Sequence, residues 1–158
     1  MTDQKRDILA YNGRRYFIHG VRKPPLFHPS EYGFSPYMAS TDCRKGYILH
    51  LKLENNLLIL HEISINLKTA MIVCGIEPVR LEDAPFSHLY SGLSIHLSFS
   101  GQILAIRDIE QMKESNNDSF CLSEIGMEVM FENGKVLSIT FLNQTECAEK
   151  LMRYRKFP

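Results

Sequence analysis

The chain has 158 residues, of which 44% are hydrophobic and 23% are charged, and its formal net charge is zero. These values are close to those of ordinary globular proteins and exclude a disordered or fibrous chain. The length predicts one domain, residues 1–158, with a core of its own.

The sequence predicts a cytoplasmic protein without a membrane partner. The first residues lack the apolar segment of a secretory signal, and no later apolar run has membrane-spanning length. The four cysteines lie far apart without a CxxC pair, so we expect reduced, mostly buried thiols rather than disulfides or a zinc site. They are Cys43, Cys74, Cys121 and Cys147.

The two ends of the chain are basic and its middle is acidic. Residues 1–52 hold nine Lys and Arg against four Asp and Glu, residues 53–152 hold six against fourteen, and residues 153–158 add three basic groups. If the ends lie together, they form either a basic face for an anionic partner or a solvated surface of complementary charges. The sequence argues against nucleic acid, because only Tyr16 and Phe17 accompany the basic residues.

Asn12-Gly13 predicts the first hairpin, with strands at 8–11 and 16–18, because both turn residues tolerate positive φ. Residues 21–46 then hold four prolines and show no sustained periodicity. We expect a long ordered loop there, since its aromatic side chains can hold it against the core. These side chains are Phe27, Tyr32, Phe34 and Tyr37.

Alternation of Tyr47, Leu49, Leu51 and Leu53 with the polar residues His50, Lys52 and Glu54 predicts a half-buried strand. A two-residue turn at Asn55-Asn56 then pairs leucines on the core face, Leu53 with Leu58 and Leu51 with Leu60. Beyond Leu60 the apolar residues change parity. We therefore predict a β-bulge at His61-Glu62, which brings Leu49 opposite Ile63 and Tyr47 opposite Ile65.

The middle of the chain gives weaker patterns. Residues 69–76 are apolar without alternation and predict a strand covered on both faces. Residues 77–90 contain two prolines and are typical of a connection, and the polar residues 110–119 predict a solvated excursion. The alternation Leu93, Ile95, Leu97 and Phe99, with Ser100-Gly101 as the turn and a returning strand at 102–109, predicts another hairpin.

The last hairpin gives two conflicting indications. Asn133-Gly134 suggests a two-residue turn, but the apolar residues on both sides of it are odd-numbered and would then face opposite ways. We therefore predict a three-residue loop over 132–134, with Gly134 as a left-handed bulge.

A short amphipathic helix is expected at the C-terminal end. Asn143 and Glu146 have the spacing of a capping box, and a helical stripe follows, made of Cys147, Ala148, Leu151 and Met152. The elements together predict a mainly β fold of antiparallel hairpins, a sandwich or partly open barrel with this helix at its end.

Candidate binding residues lie in two places. The 21–46 loop offers a polar group that forms a pocket if the loop folds over the sheet, namely His28, Glu31, Tyr32, Arg44 and Lys45. On the strands, His50 lies near His61 or Glu62 across the hairpin, which predicts a small polar cluster. Both groups also have ordinary explanations, since polar loop residues fix loops and cross-strand polar pairs occur on solvated faces.

The sequence names no reaction. It contains no GxSxG elbow, no glycine-rich phosphate loop and no HExxH motif. His28 and Glu31 share no helical face that suits a metal, so we expect neither a metal nor a cofactor. Cys43, beside Arg44 and Lys45, is either a thiol with a lowered pKa, which would also need a positioned base, or an incidental loop thiol.

Two short motifs carry a resemblance. Arg44-Lys45-Gly46-Tyr47 leads into the hairpin at 48–65, and Phe86 is followed by Tyr90-Ser91-Gly92-Leu93 and the later Gly101. The chain in this respect resembles a family of uncharacterised bacterial β-rich proteins of similar length, although it lacks that family's tryptophans and has Lys45 in place of an arginine. The resemblance implies a β-rich fold and no particular activity.

Two functions remain open from the sequence. The favoured hypothesis is a non-catalytic protein-interaction domain, such as an inhibitor or immunity-type partner, with the separated charges providing complementarity. The alternative is a small-ligand binder or enzyme that uses the 21–46 loop and the cluster of His50, His61 and Glu62 around a pocket. The sequence leaves the oligomeric state open.

Overall fold

The computed structural model describes residues 4–82, 85–107 and 124–156. The predicted excursion at 110–119 lies outside the described residues. The described elements are β1 (Ile8–Tyr11), β2 (Arg14–Arg22), a 3-10 turn (Pro29–Tyr32), β3 (Tyr47–Glu54), β4 (Leu57–Ile65), β5 (Val79–Arg80), β6 (His88–Tyr90), β7 (Ile95–His96), β8 (Gly101–Arg107), β9 (Gly126–Glu132), β10 (Lys135–Leu142) and α1 (Gln144–Lys156).

Seven of the strands close into a barrel. Their order around the wall is β10-β9-β8-β2-β1-β3-β4, and β10 meets β4 at the pair Lys135 and Leu57. The predicted mainly β fold with a C-terminal helix is confirmed, and the barrel is closed rather than a sandwich or partly open. Among the described strands, every pairing is antiparallel except that of β1 with β3, which the predicted succession of hairpins did not include.

The inside of the barrel is a packed apolar core. Most inward side chains of its strands are almost fully buried, as expected for a barrel this small; examples are Leu9, Leu51, Ile63, Ile103 and Val129. In the described part of the chain, no helix is long and apolar enough to cross a membrane.

The first two hairpins follow the predicted turns. Asn12 and Gly13 both have positive φ, as do Asn55 and Asn56. In the second hairpin Leu51 pairs with Leu60, whereas His50 pairs with Glu62, so His61 is the additional residue. The predicted bulge and its consequence, Leu49 opposite Ile63 and Tyr47 opposite Ile65, are confirmed.

The prediction of a buried strand at 69–76 was wrong. Val73 and Ile76 bridge each other around Cys74 and Gly75, which both have positive φ, so the chain reverses there. Ile72 is exposed, and the stretch is held instead by the hydroxyl of Tyr90, which donates to the Met71 carbonyl at 2.5 Å. An apolar run of this length does not distinguish a strand from a loop that packs some of its side chains.

Residues 77–90 are more than a connection, because they contain β5 and β6. His88–Tyr90 pairs with the second half of β4, between Ile63 and Ile65, and Val79–Arg80 pairs with β6. The two prolines that suggested a connection lie outside both short strands, at Pro78 and Pro85.

The hairpin predicted at 93–109 is only partly correct. Most of the predicted side chains are buried, but the two strands pair with other strands and not with each other. Leu93, Leu97 and Phe99 are buried as the alternation requires. However, Ile95–His96 pairs with β4, whereas Gly101–Arg107 pairs with β2 and β9. Gly101 is therefore the start of a new strand and not a hairpin turn, since alternation sets the face of a strand and not its partner.

The three-residue loop predicted at 132–134 was also wrong. Glu132 pairs with Lys135, so Asn133 and Gly134 form a two-residue turn with positive φ at both positions. The parity conflict is resolved farther along, by a register shift between Val136 and Ser138 that makes Leu137 a bulge.

The helix α1 begins with the predicted capping box. The backbone N–H of Asn143 donates to the Glu146 carboxylate at 3.0 Å, and the N–H of Glu146 donates to Asn143 Oδ1 at 2.8 Å. The predicted stripe is only partly correct, because Ala148 and Met152 are exposed.

The buried face of α1 is instead formed by Cys147, Leu151 and Tyr154, which pack on the outer face of the barrel. Close approach is possible because Gly20 and Gly126 lie beneath Tyr154 and Cys147, where a Cβ would collide with those side chains.

The long loop is ordered as predicted. Phe27 and Phe34 are buried, and Tyr32 stacks on Phe27 with ring centroids 5.4 Å apart. Tyr37 was expected to help hold the loop, but its side chain is 41% exposed. The loop starts two residues later than predicted, because β2 continues to Arg22.

Two glycines in equivalent turns allow a test of the last hairpin. Gly134 has φ +78, and a Cβ there would meet the Leu97 carbonyl, whereas Gly13 has φ +72 and open space around it. We expect Gly134→Ala to lower the free energy of unfolding by about 3 kcal/mol or more, from backbone strain and overpacking. Gly13→Ala, the matched control, should cost about 1 kcal/mol from strain alone. Urea unfolding measures both, and equal losses would contradict the close contact.

Candidate partner-binding surface

The residues singled out in the sequence lie in three separate places. His28, Glu31 and Tyr32 line a small cavity, Arg44 and Lys45 lie beside the N-terminal residues, and the strand cluster lies at the β-bulge. The loop group and the strand cluster therefore do not surround a common pocket.

The cavity beside the loop has a volume of about 220 Å³. Its lining includes His28, Glu31 and Tyr32 from the loop and His96 with Leu97 from the segment around β7. The cavity is therefore smaller than typical small-molecule pockets, which measure roughly 300–1,000 Å³. Burial raises the pKa of Tyr32, so the phenol stays protonated and acts there as a hydrogen-bonding group.

The strand cluster lies at the bulge, on the outer wall of β3 and β4. Nε2 of His50 lies 3.6 Å from the Glu62 carboxylate, and the rings of His50 and His61 are 6.4 Å apart. Burial lowers the pKa of both imidazoles, although Glu62 acts in the opposite direction. Both histidines are therefore mainly neutral at pH 7, and no group of three metal-ligating side chains occurs within the described ranges.

Cys43 does not have the features of a reactive thiol. Its side chain is buried, and burial raises its pKa more than the neighbouring Lys45 lowers it. The ammonium of Lys45 binds Asp7 instead, and the thiol lies 3.6 Å from the Tyr47 carbonyl. The structure therefore favours the incidental loop thiol over the nucleophile.

The N-terminal segment, residues 4–7, is fastened to the loop over 41–45 by several hydrogen bonds. The N–H of Lys5 donates to the Asp42 carbonyl at 2.6 Å, and the N–H of Arg44 donates to Gln4 Oε1 at 2.9 Å. The ammonium of Lys45 contacts both carboxylate oxygens of Asp7, at 2.7 and 2.8 Å. These contacts hold the first basic residues of the chain beside Arg44 and Lys45.

An apolar groove of about 510 Å³ adjoins this segment on the outer wall of β1, β2 and β3. Ile8, Phe17 and Ile48 form its floor together with His19, and Lys5 and Arg6 lie at its edge. These floor residues point outward because their sequence neighbours Leu9, Ile18 and Leu49 point into the core. We call this feature the outer groove.

The C-terminal end of α1 reaches the same place. The pKa of His19 falls from its ordinary 6.5 to about 4, first because the imidazole is partly buried and then because the charges of Arg6 and Arg155 repel a proton. His19 is therefore neutral at pH 7, and the two basic ends of the chain do lie together. We call the set of cations around the outer groove the basic surface; it comprises Lys5, Arg6, Arg44, Lys45 and Arg155.

Reasoning from the sequence identified two members of this surface, Arg44 and Lys45, but missed the outer groove. One signal was available: Ile48 interrupts the alternation of β3 with an apolar residue on the outward face. The outward positions of Ile8 and Phe17 become neighbours only through the pairing of β1 with β2.

Comparisons of the chain with protein-family models, with curated proteins and with solved structures found no match. The resemblance to bacterial β-rich proteins stays a prediction, and inference of function rests on the geometry of the basic surface.

His19 gives the basic surface a defined dependence on pH. Because its pKa is lower in the folded chain than in the unfolded one, the unfolded state binds the proton first as the pH falls. The contribution of His19 to stability is therefore complete above pH 6.5 and is lost as the pH falls toward 4. We expect His19→Gln to reduce the difference in urea midpoint between pH 7 and pH 4.5. An unchanged difference would contradict the lowered pKa of the half-buried His19.

The described cysteines should differ in reactivity. Cys43 and Cys147 are buried, as expected for most of the thiols, and have raised pKa values, whereas Cys74 is exposed. We expect iodoacetamide at pH 8 to alkylate Cys74 at least tenfold faster than Cys43, as followed by peptide mass spectrometry. Fast alkylation of Cys43 in the folded protein would restore the hypothesis of a reactive thiol.

Proposed function

We propose that the chain is a non-catalytic protein-interaction domain that binds an acidic, amphipathic helix of a partner protein in the outer groove. The observation that carries the proposal is that both basic ends of the chain meet beside an apolar groove on the barrel wall. Such a domain serves as an inhibitor or immunity-type partner when the bound helix belongs to the working surface of its target.

The apolar part of the proposal follows from what α1 does on the neighbouring wall. There, outward side chains of β8, such as Leu104 and Ile106, pack against the buried face of α1. The outer groove offers the same kind of floor, with Ile8 and Phe17 only half-buried by the described part of the chain. A second helix placed about 8–10 Å from α1 would cover it.

The charged part of the proposal follows from the surroundings of the groove. Lys5, Arg44 and Arg155 are exposed cations. The nearby carboxylates are already engaged, since Asp7 accepts from Lys45 and from the N–H of Leu49, and Asp42 accepts from Ser40. Asp7 offsets the charge of Lys45, but Lys5, Arg6, Arg44 and Arg155 outnumber Asp42, so the basic surface keeps a net positive charge. This charge attracts an anionic partner, which raises the association rate and favours acidic helices over basic ones.

The arrangement corresponds to recognition of a helix in a groove, in which apolar residues of one helical face enter the groove and charged residues flank it. The proposal places this interaction in a bacterial cytoplasm. The free state of the described cysteines is compatible with a reducing compartment, and the partner is a protein rather than a membrane or nucleic acid.

The alternative of a small-ligand binder or enzyme receives less support. It required the 21–46 loop and the cluster of His50, His61 and Glu62 to surround one pocket, and the lining of the loop cavity includes none of those three residues.

The test uses a labelled synthetic peptide that forms a helix with leucines on one face and glutamates on the other. We expect saturable binding by fluorescence anisotropy, with amide shifts at Ile8, Phe17 and Ile48 in NMR spectra. The double variant Lys5→Glu/Arg6→Glu should weaken binding at least about tenfold, which corresponds to 1.4 kcal/mol. Phe17→Glu should weaken it further by placing a carboxylate on the groove floor.

Two controls make the result specific. The variant Lys68→Glu/Arg80→Glu makes the same change in net charge at exposed positions away from the groove and should bind like the wild type. A peptide with lysines in place of the glutamates should not bind. Loss of binding in both double variants, or amide shifts confined to other surfaces, would overturn the proposed site.

A further inference from the structure

We infer that two copies of the chain associate through the free edge of β10, which we define as residues 137–142, to form a symmetric dimer with a continuous sheet across the interface. The inference is independent of the outer groove, which lies on β1, β2 and β3. It rests on the backbone of β10, on the exposure of its inward side chains and on its sequence.

β10 is paired along its whole length on one side only. On that side β9 accompanies it from Lys135 to Leu142. On the other side β4 contributes one pair, Lys135 with Leu57, and the N–H of Val136 donates to the Asn56 carbonyl at 2.8 Å. Beyond that point β10 runs past the tip of the β3–β4 hairpin, and no described strand pairs with its free edge.

The inward side chains of β10 are more exposed than those of β9, as expected for a strand that lacks a neighbour on one side. Met127 and Val129 of β9 are fully buried in the core, whereas their cross-strand partners Phe141 and Ile139 are not. Phe141 is 37% exposed although it faces the same interior as Met127. The difference arises because β9 has a strand on both sides and the free edge of β10 does not.

The backbone of the free edge is oriented for a further strand. Val136, opposite Phe131, directs its N–H away from β9. In an antiparallel ladder such positions recur at every second residue of the partner strand. Val129 and Met127 have the same parity as Phe131, so the N–H and C=O groups of Ile139 and Phe141 also point away from β9.

The sequence of the free edge suits a second copy of the same chain. Exposed edges usually carry charged residues or proline that prevent pairing, but residues 137–142 contain neither. An antiparallel pair related by a twofold axis at Ile139 sets Ile139 opposite its own copy and Ser138 opposite Thr140, so apolar side chains meet at the axis and no like charges are opposed. This is an isologous contact, the commonest arrangement in homodimers.

The first measurement is sedimentation equilibrium of the wild-type chain over a range of concentrations up to millimolar. We expect the average mass to rise from 18.2 kDa toward twice that value. In parallel, hydrogen exchange should become slower at Ile139 and Phe141 as the concentration increases. A wild-type chain that stays monomeric throughout would overturn the inference.

Variants locate the interface. Ile139→Pro removes an outward N–H and leaves the ladder to β9 intact, and Phe141→Lys places a cation diagonally beside Ile139 of the other copy. Each should weaken dimerisation at least tenfold. Met152→Lys, at an equally apolar but more exposed position on α1, should dimerise like the wild type.

The exchange experiment keeps the inference testable if Ile139→Pro fails to fold, because it uses the unmodified chain. Dimerisation accompanied by protection at other strands, or unaffected by Phe141→Lys, would mean that another surface forms the dimer and would overturn the proposed edge.

Discussion

The position of β1 between β2 and β3 is the constraint on which the barrel and the basic surface both depend. β1 has only four residues, yet it joins a hairpin partner on one side to a parallel partner on the other. Asp7 secures this arrangement, because its carbonyl accepts from the N–H of Ile18 at 2.9 Å while its carboxylate binds Lys45 and the N–H of Leu49. One residue thus connects β2, β3 and the loop before β3, and it brings Lys5 and Arg6 to the outer groove.

The two surfaces proposed for binding have a common origin in the incomplete covering of the barrel. The helix α1 covers the outer wall over β8 and leaves the neighbouring apolar positions of β1, β2 and β3 as a groove. Similarly, the barrel is closed by contacts at the start of β10 only, so the rest of that strand is an edge. In both places apolar side chains are partly exposed, because the helix or strand that covers similar side chains elsewhere on the barrel does not extend over them. Partly exposed apolar side chains of this kind are typical of interaction surfaces.

The sequence predicts a hairpin correctly where the length of the turn places the apolar residues of both strands on the same face. It fails where the turn would place them on opposite faces, because either a longer loop or a bulge in a strand can restore the match. The bulge at His61 was correctly predicted because the parity changed within the strand, after Leu60. In the last hairpin the mismatch appeared at the turn itself, and a longer loop or a later bulge at Leu137 satisfies it equally well. The candidate site was only half predictable, since Arg44 and Lys45 were recognised as basic loop residues but their neighbours lie far away in the sequence.

The sequence by itself determined most of the long strands and their buried faces, the positions of three turns and the capped helix. Alternation, positive φ and capping involve residues within a few positions of one another. Only the tertiary structure decided which strands are neighbours, that β1 lies parallel to β3, and that the wall closes at β10. It also decided that the basic ends meet at His19. These features depend on contacts between residues distant in the chain, and an alternating pattern specifies the face that must be buried without specifying the strand beside it.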